Sequence, residues 1–144
     1  MPSRLSFQDF QKLRAKGAGL RMNLKEQEKI KPLLANKYKS KFEERYAGYL
    51  ECQKRDGLIK DWKYEELTIK LENGVRFTVD FTIYPATGIV HIIETKGHMR
   101  GDARAKLFVA AARLAKLGLP SYLVMQEGRG WTEPILIASL FHEE

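Results

Sequence analysis

Asp80, Glu94 and Lys96 are the residues of this 144-residue chain whose types and setting could carry chemistry. Asp80 interrupts the apolar run Val79-Asp80-Phe81, and Ile92-Ile93-Glu94-Thr95-Lys96 closes a strongly apolar stretch with an acid and a base. Charged side chains are seldom buried without a partner, so acids set among hydrophobes call for a reason. If both stretches are strands, Glu94 and Lys96 stand at i and i+2 and project from one face, about 6.6–7 Å apart. An Asp80 on the neighbouring strand joins them at one end of the sheet. Two carboxylates that close repel unless a proton or a cation intervenes. Hard oxygen ligands without a His or Cys set favour Mg²⁺, with Mn²⁺ as substitute, over zinc. A cation held by Asp80, Glu94 and the Thr95 main-chain carbonyl would polarise a phosphate and acidify a water. Lys96 beside it would orient the nucleophile or offset the charge growing on the phosphate. The chemistry that suits this set is phosphodiester hydrolysis. Taken alone, an Asp followed by Glu-x-Lys also reads as an ordinary charged strand end.

The elements that must position these residues follow from periodicity. Ser40-Lys-Phe-Glu43 opens a helix that Gly57 closes after Lys54-Arg55. Phe42, Tyr46, Tyr49, Leu50 and Gln53 recur at helical spacing, the first four as a core-facing stripe. Glu43 falls on the flank of that stripe and can overhang the interior, whereas Glu44 points away. Glu43 equally reads as the acidic partner of a Ser40 capping box. The period then changes to two. Trp62–Leu71 and Val75–Tyr84 predict two strands joined by a Glu72-Asn73-Gly74 turn, and Ile89–Thr95 a third. Asp102 predicts the N-cap of a second helix running to Lys116, with Leu107, Ala110, Ala111 and Leu114 inward and Gly118 beyond its end. Tyr122–Gln126 reads as a fourth strand, and Trp131 with Ile135–Phe141 as a core-closing strand or helix. The order helix, three-strand antiparallel meander, helix, strand predicts an α/β fold with a mixed sheet flanked by helices. The second helix can return the chain to a parallel neighbour. Trp62, Trp131, Tyr46 and Tyr49 read as core rather than as base-stacking platforms.

The formal charge of +7 is unevenly placed. Residues 1–41 hold 11 Lys and Arg against 3 acids, net +8, and residues 42–144 hold 14 against 15, net −1. This divides the chain into a basic helical arm, 1–37, with helix starts at Ser6 and Asn23, and a domain, 38–144. Such an arm reads as a solvated face or as a holder of phosphate backbones. Candidate DNA contacts are Lys37, Lys39 and Lys41 where arm meets domain, and Arg100, Arg104 and Lys106 around the start of the second helix. A solvated helix face is an equal reading for Arg104 and Lys106. A lone Cys52 builds neither a disulfide framework nor a zinc finger. No apolar run nears the roughly 20 residues of a membrane span, and the Met-Pro-Ser-Arg start has no apolar signal core. The expectation is a soluble cytoplasmic protein without a membrane partner.

Glu43 in a helix, Asp80 and Glu94-Thr95-Lys96 on consecutive hairpin strands, and a basic helix after them resemble the PD-(D/E)XK nuclease superfamily, over Ser40 to Gln126. Within it, Ser40-Lys-Phe-Glu43, Asp80-Phe81 and Glu94-Thr-Lys-Gly97 look like small phage endonucleases, including the junction-resolving endonuclease I type. Val79 stands where the superfamily usually has a proline, and the spacing from Asp80 to Glu94 differs from that of the junction-resolving relatives. The resemblance implies a restriction-endonuclease-like core, Asp80 and Glu94 as ligands of the catalytic Mg²⁺, Lys96 as the catalytic lysine and Glu43 as an assisting metal or water ligand. It implies a DNA endonuclease acting on duplex or branched, Holliday junction-like DNA or on phage recombination and replication intermediates. A homodimer is expected, in host cytoplasm if the chain is phage-encoded. The alternative is a basic nucleic-acid-binding protein that keeps the fold without the chemistry.

Overall fold

A computed structural model of the chain describes residues 38–141. The arm 1–37, with its helix starts at Ser6 and Asn23 and with Lys37, lies outside the described residues, as do 142–144. The described chain is α/β: α1 (Lys41–Arg55), β1 (Ile59–Tyr64), β2 (Thr68–Lys70), β3 (Arg76–Thr78), β4 (Phe81–Pro85), β5 (His91–Lys96), α2 (Gly101–Lys116), β6 (Ser121–Glu127), β7 (Gly130–Trp131) and β8 (Ile135–Leu136), with a 3₁₀ turn over Ile137–Phe141. A six-stranded mixed sheet runs in the order β1-β4-β5-β6-β7, with β8 also on β6, and β2 pairs β3 in a separate two-stranded ribbon. β4 and β5 are antiparallel, whereas β5 and β6 are parallel with α2 as the crossover between them, as the pattern predicts. No helix among the described residues is long and apolar enough to cross a membrane.

Three expectations need correction. The arms Trp62–Leu71 and Val75–Tyr84 are not continuous strands: the first breaks between β1 and β2, the second between β3 and β4. The first break has a visible cause, since the apolar residues shift from even positions (Trp62, Tyr64) to odd ones (Leu67, Ile69, Leu71). A one-residue slip of a period-two pattern turns every following side chain over, so the chain must kink. It does so at Glu65, whose φ is +51°. Asp102 is not the N-cap of α2; Arg100 holds that place without a side-chain bond, and Asp102 sits in the first turn, where a carboxylate suits the positive helix end. Finally, Ile135–Phe141 is a two-residue strand followed by a 3₁₀ turn, and only Ile137 of β8 and that turn's described side chains is buried.

The described residues form two compact units, one from 38–62 and Tyr84–Ile89, the other from Lys63–Ile83 and 90–141. In the first, Ser40 caps α1 by accepting the Glu43 N–H at 3.0 Å, worth about 1 kcal/mol. The predicted stripe is buried, with the Tyr46 and Tyr49 rings 5.5 Å apart and Gln53 Nε2 donating to the Tyr49 hydroxyl at 2.8 Å. Trp62 is buried too, its indole N–H satisfied by Glu51 Oε2 at 2.8 Å. In the second, α2 lays Leu107, Ala110, Ala111 and Leu114 on a core with Ile92, Leu123, Ile137, Val79 and the ribbon's Leu71 and Phe77. His91 to Thr95 are buried without alternation, the signature of a central strand covered on both faces. That strand carries the candidate chemistry.

Candidate active site

The site forms where β4 parts from β5. Their pairing runs Ile83↔His91, Thr82↔Ile92, Phe81↔Ile93. The next residue of β4 to face Thr95 would be Val79, but its N–H donates to the Leu67 carbonyl at 3.0 Å. Thr95 therefore loses its backbone partner, and a buried N–H must find another acceptor. Asp80 supplies it. Asp80 Oδ2 accepts the Thr95 N–H at 2.8 Å and the Thr95 hydroxyl at 3.1 Å. In return, the Asp80 N–H donates to Glu94 Oε1 at 2.8 Å. Each carboxylate thus replaces a rung of the ladder, and the two are locked across it.

The electrostatics of the pair follow from burial. Glu94 is 1% exposed. Burial, then the neighbouring charge of Asp80, drive its carboxyl well above the usual range, and the Asp80 N–H and Lys96 only partly oppose this. Burial raises Asp80 as well, against the Thr95 N–H, Lys96 and the Thr95 hydroxyl, which favour its charged form. Both carboxyls are therefore raised, as expected of two acids that cannot readily ionise together at close range. Lys96 shares the Glu94 face of β5, is half-buried and forms no salt bridge with a described residue. Its ammonium acts on the acids through its field and stays available to a further anion.

Asp80, Glu94, Thr95 and Lys96 are brought together as expected. The backbone of Thr95 faces Asp80, and a strand residue presents its N–H and C=O to the same neighbour, so the Thr95 carbonyl lies on that side as well. Among the described residues no group of three or more His, Cys, Asp or Glu side chains gathers anywhere. The donor set here is two carboxylates and a carbonyl, which fits Mg²⁺, an ion that keeps several waters and takes one or two carboxylates. The Thr95 hydroxyl is a further site residue that the spacing left unmarked; its place between Glu94 and Lys96 is the signal for it.

The remaining candidates lie at and near the starts of the two helices. Glu43 belongs to the first unit and is buried there, its Oε1 accepting the Ser40 hydroxyl at 3.4 Å. Glu44 is half-buried. Lys39 and Lys41 are exposed at the start of α1. Arg100 and Arg104 are exposed at the start of α2, joined by an Arg104 N–H to Arg100 carbonyl bond of 2.8 Å. Lys106 is exposed with its Nζ 6.0 Å above the Phe77 ring, so part of its role is to cover the ribbon. Compared with known proteins, the chain matches no family model, no curated protein and no solved structure.

Proposed function

We propose that this chain is a Mg²⁺-dependent DNA endonuclease of the PD-(D/E)XK type, built on a restriction-endonuclease-like core. The observation that supports it is the Asp80–Glu94 interlock beside Lys96: two acids forced together at a sheet break, with an ammonium on the same strand that forms no salt bridge with a described residue. A structural role alone would be served better by residues that do not oppose each other's ionisation. The order α1, β1, β4, β5, α2 and parallel β6 agrees with the core that reading requires.

Asp80, Glu94 and the Thr95 carbonyl would hold the metal, which supplies Lewis acidity at the scissile phosphate and an acidified water. The chain's own residues do the rest. Thr95 fixes the Asp80 carboxylate with two hydrogen bonds, and the Asp80 N–H fixes Glu94, so the ligands are set before substrate arrives. Lys96 offsets the charge that grows on the phosphate oxygens as water attacks phosphorus and the bond to the leaving sugar oxygen breaks. Glu43 assists as a metal or water ligand, and Arg100, Arg104, Lys106, Lys39 and Lys41 contact flanking phosphates. Branched DNA is the leading substrate; paired cuts across it need two sites, hence a homodimer.

The test is a panel of junction, flap, linear duplex, single-stranded DNA and RNA, each with Mg²⁺, Mn²⁺ or chelator. Metal-dependent cleavage with a preference for branched DNA is expected. Metal-independent binding without cleavage would favour the non-catalytic reading.

A further inference from the structure

We propose that the β2–β3 ribbon is a second DNA contact, in which Lys70 and Arg76 hold the phosphate backbone of duplex DNA next to the Asp80–Glu94 site. The inference rests on the nucleic-acid reading above and adds residues that reading does not use. The register pairs Thr68 with Thr78, Ile69 with Phe77 and Lys70 with Arg76. Directly opposed residues share a face, so the ribbon has two unlike sides. Ile69 and Phe77 turn into the core of their unit. Thr68, Lys70, Arg76 and Thr78 form the other side; the first three are exposed, and the two threonine hydroxyls lie 2.8 Å apart.

Like charges placed directly across a ladder are destabilising. Among the described residues neither Lys70 nor Arg76 finds a carboxylate to relieve this; Glu72 in the intervening turn bridges instead to Arg113, at 3.6 Å. The pair is unfavourable in the free protein and becomes favourable once an anion lies against both cations. The ribbon also leads straight into the site. Arg76 precedes Asp80 by four residues, at most about 13 Å, or about four base-pair steps of 3.4 Å. The anion that suits two adjacent cations beside the proposed nuclease site is the backbone of its duplex DNA substrate.

The experiment measures binding of full-length protein to labelled duplex DNA in chelator, by anisotropy over a salt series, for wild type, Lys70→Ala/Arg76→Ala and a Lys60→Ala/Lys63→Ala control on β1. Removing two phosphate contacts should flatten the log–log salt slope by about 1.8 and weaken binding about 60-fold at 0.1 M salt. The control should change much less. Lys70→Glu supplies an independent readout, because it creates an opposite-charge pair with Arg76. Its melting temperature should rise while its DNA affinity falls, a divergence that loss of fold could not produce. A slope for the double variant equal to wild type or to the control overturns the ribbon and leaves the nuclease reading standing. Equal loss on duplex RNA overturns duplex DNA as the ribbon's specific occupant. No binding of duplex DNA by wild type at 50 mM salt overturns the ribbon together with the nucleic-acid reading, while cleavage without a ribbon effect overturns the ribbon alone.

Discussion

Two regions of this protein solve the problem of a poorly solvated acid in different ways. At the start of α1, Glu43 is 7% exposed and meets the hydroxyl of Ser40, three residues away, while Ser40 takes the Glu43 N–H. At the β4–β5 break, the Glu94 carboxylate reaches across 14 residues of sequence to the Asp80 N–H, and the Asp80 carboxylate across 15 to the Thr95 N–H. The helix start spreads its acids: burial, then Glu51, Glu44 and Glu43, push the Tyr38 phenol up to about 12, a load borne by a group that is neutral in either case at physiological pH. The sheet break instead places two carboxyls against each other with Lys96 as the nearby cation, and both rise. A local acid can be satisfied by its own helix. A pair held by topology resists full ionisation, a constraint that a divalent ion would lift by displacing the protons.

The comparison would break most visibly in catalysis. Asp80→Asn should reduce metal-dependent DNA cleavage below detection and Lys96→Ala should reduce it about 10³-fold, with DNA binding retained in both; retained cleavage in either would remove the sheet break from the chemistry. Glu43→Gln should cost less, about 10–100-fold as expected of a supporting ligand, and Glu44→Gln almost nothing. Equal rates for those two variants would leave Glu43 as a capping residue only.

Stability sharpens the contrast. Since both carboxyls of the pair are raised, the folded metal-free protein holds protons there that the unfolded chain releases. That stabilisation is complete below the ordinary carboxylate range and is lost as pH rises through the raised values. Metal-free wild type should therefore melt lower at pH 7 than at pH 5, Mg²⁺ should close the gap with release of protons, and Glu94→Gln should narrow the gap and abolish the Mg²⁺ effect. A gap unchanged in Glu94→Gln would contradict the coupled pair. The smallest effect belongs to the helix start, where Ser40→Ala should cost about 1 kcal/mol in denaturant unfolding with no Mg²⁺ dependence.

What the sequence revealed and hid has a physical pattern. Local signals were legible: the Ser40 cap, the α1 stripe, the parallel return through α2, and the three residues Asp80, Glu94 and Lys96. The breaks that build the site were not, because alternation reports faces and not the point at which a strand changes partner. Val79 continues the apolar parity of Phe77 and Phe81, yet it pairs across the ribbon while Phe81 pairs in the main sheet. Only the parity shift at Glu65–Leu67 betrayed the division. The Lys70–Arg76 opposition was hidden for the same reason, since it exists only in the register.

The most direct test of the central claim is nicking of supercoiled plasmid by full-length protein in Mg²⁺, wild type against Asp80→Asn at matched DNA occupancy. Nicking by wild type that chelator stops and Asp80→Asn lacks is the predicted result. A wild type that nicks neither plasmid nor any other DNA form in Mg²⁺ or Mn²⁺ would contradict it.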